Sequence, residues 1–138
     1  MRYLGVDFGE RRIGVAVSDE EARLAVPVGV VERRDDYQAI GELRDIARDR
    51  EVGALVLGRP TQVDGRLGAT ANRVRRFGER LALACHLPLF VVDEALTSSE
   101  ARRLLRQAGS GRRHRRKAID ALAARIQLQE WLDQEERP

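Results

Sequence analysis

"YLGVDFGERRIGVAVSD", residues 3–19, decides the fold. Tyr3, Gly5 and Asp7 fall on one side of an extended chain and Leu4, Val6 and Phe8 on the other, the period of two that marks a strand. "GERR" (9–12) then turns the chain. Ile13, Val15 and Val17 alternate with Gly14, Ala16 and Ser18, which reads as the antiparallel partner of a hairpin. Asp7 is the awkward residue, because it ends a strand dense enough in apolar residues to be buried. A buried carboxylate without a partner is costly. Arg11 and Arg12 offer a local, structural partner; the rest of the chain must supply any other.

Beyond the hairpin, "AVPVGVVER" (25–33) reads as a third strand, with Pro27 suited to an edge. Asp35-Asp36 open a helix to about Arg50 that carries Ala39, Ile40, Leu43, Ile46 and Ala47 on one stripe. "ALVLG" (54–58) is short and wholly apolar, as a central parallel strand is. "RPTQVDGRLG" (59–68) reads as a loop, followed by a helix from about Ala69 to Cys85 and the strand "LPLFVVDE" (87–94). Thr97 and Glu100 have capping-box spacing before a helix at 101–107. "GSGRRHRRK" (109–117) has no periodicity and reads as a mobile loop, and a last helix runs from about Ala118 to Asp133. Three meandering strands followed by alternating helices and strands predict one α/β domain over residues 1–138: a mixed five-stranded sheet, three strands antiparallel and two parallel, with helices on its faces.

Composition narrows the function. The 138 residues are 43% hydrophobic, enough for one core, and contain no run of the roughly 18 apolar residues that a membrane span needs. The beginning of the chain reads as a strand and not as a signal peptide, and the single cysteine, Cys85, has no internal disulfide partner; both make the cytoplasm the expected compartment. In "ALACHLPLF" a small buried thiol fits Cys85 better than a nucleophile. Net charge is only +3, yet residues 66–125 hold 14 basic against 5 acidic side chains, which points to a polyanionic partner. The loop "RRHRRK" concentrates this charge in Arg112, Arg113, Arg115, Arg116 and Lys117, and Arg11 and Arg12 add to it beside Asp7. Aromatics are 4% of the chain and mostly at core spacings, so backbone and shape recognition is expected over base stacking.

Three acidic sites stand out by position. Asp7 ends the first strand, Asp93-Glu94 ends the last, and Asp120 lies in an alanine-rich turn at the start of the last helix. Ligands collect beyond the carboxyl ends of parallel strands, where Asp7 and Glu94 would stand together. Ala118, Ala121, Ala123 and Ala124 let the helix approach the sheet closely enough for Asp120 to join them. Clustered carboxylates favour a hard divalent cation, Mg²⁺ or Mn²⁺, whose use would be hydrolysis of a phosphodiester. With one cysteine and two histidines, a zinc site is disfavoured. Each acid also has a structural reading: Asp7 paired with an arginine, Asp93 capping a loop, Asp120 favoured at a helix N-terminus.

Four segments in order, "LGVDFGERRIGVAVSD", "LVLGRPTQVDG", "VVDEALTSSEA" and "KAIDALAARIQLQEWL", resemble the YqgF/RuvX family and span nearly the whole chain. The resemblance implies an RNase H-like fold related to the RuvC Holliday junction resolvases. It implies a metal-dependent nuclease acting on branched DNA or on the 5′ end of precursor 16S rRNA. It assigns the catalytic and metal-binding roles to Asp7, Glu94 and Asp120, and it is compatible with a homodimer. Two positions differ from the family pattern: Ala95 stands where the D-E-R motif has arginine, and Arg59 where leucine is usual. Two other classes compete with a nuclease. One is a catalytically silent nucleic-acid-binding module in ribosome or transcription work. The other is an actin-like ATPase or sugar kinase, which "DFG" after a strand also resembles, although such proteins pair two domains of this kind.

Overall fold

Five strands, β1 (Arg2–Asp7), β2 (Arg12–Ser18), β3 (Ala25–Glu32), β4 (Val52–Arg59) and β5 (Leu89–Asp93), form one mixed sheet in the order β3-β2-β1-β4-β5. The computed structural model describes residues 1–59, 65–93 and 112–134, with backbone alone at 65–69 and 112–116. Along the described chain, α1 (Asp36–Asp49) follows β3, α2 (Gly65–Cys85) follows β4 and α3 (Arg112–Leu132) follows β5. β1 pairs antiparallel with β2, Val6 opposite Val15 and Asp7 opposite Gly14. On its other side β1 runs parallel to β4, and β4 runs parallel to β5. The carboxyl ends of β1, β4 and β5 therefore share one edge, which gathers Asp7, Arg59 and Asp93. β3 is an outer strand, and its Pro27 sits beside a register shift, where a missing N–H breaks no ladder.

The period of two in β1 divides the interior as the sequence predicts. Leu4 and Val6 join Leu55 and Leu57 of β4 in a core covered by Ala39, Ile40 and Leu43 of α1 and Val74, Phe77 and Leu81 of α2. Tyr3 faces the other way, with Ala54, Val56 and Val92, onto Ala124, Leu128 and Trp131 of α3. Asp7 shares Tyr3's face. α1 starts as expected: Asp35 is its N-cap and accepts from the Gln38 N–H at 2.8 Å, and its apolar stripe is buried at Ala39, Ile40, Leu43 and Ala47 and partly buried at Ile46.

α3 lies on the sheet through small residues. Ala16, Ala54, Ala123 and Ala124 are fully buried beneath or along it. Two glycines set its closest approach. A Cβ on Gly14 of β2 would collide with the backbone carbonyl of Asp120, and one on Gly58 of β4 would collide with the Gln127 side chain. At Gly14 the obstacle is helix backbone, so this position fixes where the helix crosses the sheet; at Gly58 it is the side-chain amide of Gln127, which a larger residue would displace.

Helix starts differ from the sequence reading. α2 begins at Gly65, four residues before the expected Ala69. α3 begins at Arg112, so 112–117 is helix and not loop. Arginine and lysine are good helix formers and carry these turns without any apolar stripe. Asp120 consequently lies eight residues into α3, in its third turn, and the reading that places it at a helix N-terminus is wrong. Glu94, the Thr97–Glu100 spacing and the helix expected at 101–107 lie outside the described residues. Among those described, no helix is long and apolar enough to cross a membrane.

Candidate active site

The site is built where α3 crosses the carboxyl end of β1. Asp7 is the last residue of β1 and points toward α3, where the Gln127 Nε2 amide donates to its Oδ1 at 3.2 Å. Gln127 is only 2% exposed, and Gly58 makes room for it over β4. Asp120 lies seven residues earlier on α3, almost two full turns, and so on the same face. It packs over Gly14, the residue that pairs with Asp7 in the β1–β2 ladder. Two carboxylates that the chain separates by more than a hundred residues thus reach one face of one sheet edge.

Each has a different neighbour. Arg12 stands two residues before Gly14 on the same face of β2, and its Nε donates to Asp120 Oδ2 at 2.7 Å. Arg12, one of the two local partners that the sequence offered to Asp7, is therefore paired with Asp120. Lys117, one turn before Asp120, pairs at 3.4 Å with Glu32, which lies opposite Arg12 in the β2–β3 ladder. Arg11 is exposed on the turn before β2. Arg112, Arg113, Arg115 and Arg116 occupy the opening turns of α3 on the approach to Asp120, and their side chains are outside the described residues. Arg59 and Asp93 close the neighbouring strand ends, with Arg59 Nε and Nη2 donating to Asp93 Oδ1 at 2.9 and 2.6 Å. Asp93 is thereby a strand-end partner of Arg59.

A second sheltered carboxylate, ringed by arginines, lies on the opposite side of the sheet. Asp36, in the first turn of α1, accepts from Arg33 at 2.8 Å, from Arg73 at 2.7 and 2.8 Å, and from Arg80 at 3.1 Å. The Arg73 bonds, then those of Arg33, hold its carboxyl down at about 2 against the opposing effect of partial burial. The Arg73 guanidinium also rests 4.9 Å from the centre of the Phe8 ring. Both oxygens of Asp36 are engaged, so this is a structural tie between α1, α2 and the end of β1. Arg73 and Arg80 reach it from α2. Cys85 is half-buried, and burial pushes its thiol up, away from nucleophilic use.

Asp7 and Asp120 offer hard carboxylate oxygens on one side of one edge, the donor chemistry that suits Mg²⁺ or Mn²⁺. Among the described residues no third acid or histidine completes a cluster with them. Glu94, the third acid expected, directly follows Asp93 but lies outside the described residues. Sequence reasoning missed Gln127. Its signal is a polar side chain on the otherwise apolar stripe of Ala123, Ala124, Leu128 and Trp131, two turns from Asp120.

Comparison with known proteins agrees with this architecture. Residues 1–134 match the family model RuvX, described as Holliday junction resolvase. A protein of Anaeromyxobacter sp. (strain K) named "Putative pre-16S rRNA nuclease" is 44% identical over 133 residues, 96% of this chain and 97% of its own length. One of the same name from Thermosynechococcus vestitus is 38% identical over 130 residues, 94% of this chain and 86% of its own. Among solved structures, T. thermophilus RuvC in complex with a Holliday junction substrate superposes with a TM-score of 0.57 at 16% identity, covering 96% of this chain and 94% of that one. The Fowlpox virus resolvase with Holliday junction DNA gives 0.55 at 7% identity, covering 97% and 100%. At such identities the structural likeness establishes the fold alone, an RNase H-like one.

Proposed function

The chain belongs to the RuvX family of Holliday junction resolvases, and from that membership we propose that it is a divalent-metal-dependent nuclease. It hydrolyses phosphodiester bonds in structured nucleic acid, either branched DNA, as the family description has it, or the precursor 16S rRNA of its relatives' name. The observation that carries this reading is the convergence of Asp7 and Asp120 on one face of the sheet's carboxyl edge, across Gly14.

Asp7, Asp120 and Glu94 would hold Mg²⁺ or Mn²⁺, which when bound supplies an activated water and charge stabilisation at the leaving oxygen. The remaining work falls to the chain itself. Gln127 fixes one oxygen of Asp7, so that the carboxylate is oriented before substrate arrives. Gly14 holds α3 close enough to keep Asp120 in place. Arg112, Arg113, Arg115, Arg116 and Lys117 line the approach on α3, and Arg11 and Arg12 the turn before and the start of β2; all seven meet phosphates, with salt-dependent affinity.

A cleavage panel tests the proposal. Four-way DNA junctions, single-stranded DNA, precursor 16S rRNA and unrelated RNA are each offered with Mg²⁺, Mn²⁺ or chelator. Cleavage of one structured substrate that disappears with chelator is expected. Cleavage unaffected by chelator, or none of any substrate, contradicts it. One observation favours a second reading, a binding module without catalysis: Asp120 is already ion-paired to Arg12. Salt-dependent binding of the same substrates, with no Mn²⁺ uptake in calorimetry, would support that module.

A further inference from the structure

Asp120 and Asp36 are both carboxylates beside arginines, and the difference between them is informative. Asp36 has both oxygens engaged by three guanidiniums and is 13% exposed. Asp120 is as sheltered, 16% exposed, yet among the described residues it takes a single N–H, from Arg12 Nε to Oδ2. The two-pronged fork that locks an arginine onto a carboxylate is not made. Arg12 itself is 32% exposed, and nearby Lys117 is directed to Glu32 instead. The pair is thus short, single-pronged and only partly exposed.

Resting on the proposed metal-nuclease reading, we infer that Arg12 is a built-in competitor of the divalent cation at Asp120. A cation on Asp120 meets the guanidinium at close range, and two positive charges on one carboxylate repel each other. Cation binding weakens the Arg12–Asp120 bond. The released side chain, on the edge where substrate lies, turns to a phosphate oxygen. Cation and nucleic acid then assist each other, because the phosphate takes up the guanidinium that the cation displaces. The site holds cation weakly alone and more tightly with substrate, a coupling that is reciprocal by thermodynamic necessity.

Calorimetric titration of Mn²⁺ into the protein without nucleic acid tests this directly, using wild type, Arg12→Gln, Arg12→Lys and Asp120→Asn. Removing the competing charge in Arg12→Gln is expected to tighten Mn²⁺ binding about fivefold, the scale of a partly exposed ion pair. Arg12→Lys keeps the charge and stays near wild type, and Asp120→Asn weakens binding. A merely structural Arg12, one that props Asp120 for the metal, gives the opposite sign: weaker binding in Arg12→Gln. That result, or unchanged affinity, overturns the inference while leaving the metal site standing. If neither wild type nor Arg12→Gln takes up Mn²⁺, with or without a four-way junction or precursor 16S rRNA, the metal-nuclease reading falls and the inference falls with it.

Discussion

At the scale of single residues, this chain uses the same side-chain type for two unlike purposes. Asp36 is a tie, and its depressed pKa is a stability statement. Its carboxyl sits at about 2 in the folded chain against 3.8 for the ordinary group, so its contribution is complete above the ordinary value and is lost as pH falls toward 2. At 1.36 kcal/mol per pKa unit, Asp36→Asn should cost about 2 kcal/mol at neutral pH. Denaturant melts should show that gap closing as the pH is lowered through the window between 4 and 2; a gap that persists at the acid end contradicts the assignment. Asp7 and Asp120 were legible as candidates, because a carboxylate ending an apolar strand and one inside an alanine-rich turn both conflict with burial unless something uses them. Gln127 was not legible, since one polar residue on an apolar stripe looks like an imperfect helix face until β1 is placed beneath it. Replacing it with leucine removes the amide that orients Asp7 and should weaken Mn²⁺ binding roughly tenfold by calorimetry. Unchanged affinity would leave Gln127 as packing alone.

At the scale of elements, the α3–sheet contact does the positioning. Gly14→Ala pushes a methyl group into the Asp120 carbonyl and should destabilise by about 1–3 kcal/mol in denaturant melts, displacing Asp120 as well. Gly41, in the middle of α1 with open space at its Cβ position, is the contrasting case. Gly41→Ala should stabilise by about 1 kcal/mol from helix propensity. Equal effects of the two variants would mean that the close approach at Gly14 carries no constraint. The strands and α1 could be read from the sequence because their periods are clean and their turns carry glycine, aspartate or proline. The starts of α2 and α3 could not: glycines at 65 and 68 and the arginine run at 112–116 remove the apolar stripe on which a helix is recognised, while the backbone remains free to coil. The partner of Arg12 was equally hidden, because it depends on where α3 crosses β2 and no local pattern encodes a crossing point.

At the scale of the whole molecule, both faces of the sheet carry core, and the face under α3 also carries the proposed site. α1 and α2 bury the larger aliphatic core on one side, and α3 packs a smaller one of alanines, Tyr3, Leu128 and Trp131 on the other. At 112–117 the backbone is helical, where the sequence reads as a mobile basic loop. Exchanging Arg112, Arg113, Arg115 and Arg116 for glutamine should flatten the dependence of log affinity on log salt by about 0.9 for each residue that meets a phosphate of duplex DNA. An unchanged slope would place the nucleic acid elsewhere. If Asp7 anchors a hydrolytic site, an amide cannot replace its carboxylate. The direct measurement is single-turnover cleavage of a four-way junction and of precursor 16S rRNA by wild type and Asp7→Asn in Mn²⁺, with binding of the same substrates measured in Ca²⁺. Asp7→Asn is expected to lose cleavage by at least about a hundredfold, the scale of losing a key catalytic electrostatic contact, while binding changes little. Cleavage by Asp7→Asn at the wild-type rate would contradict it.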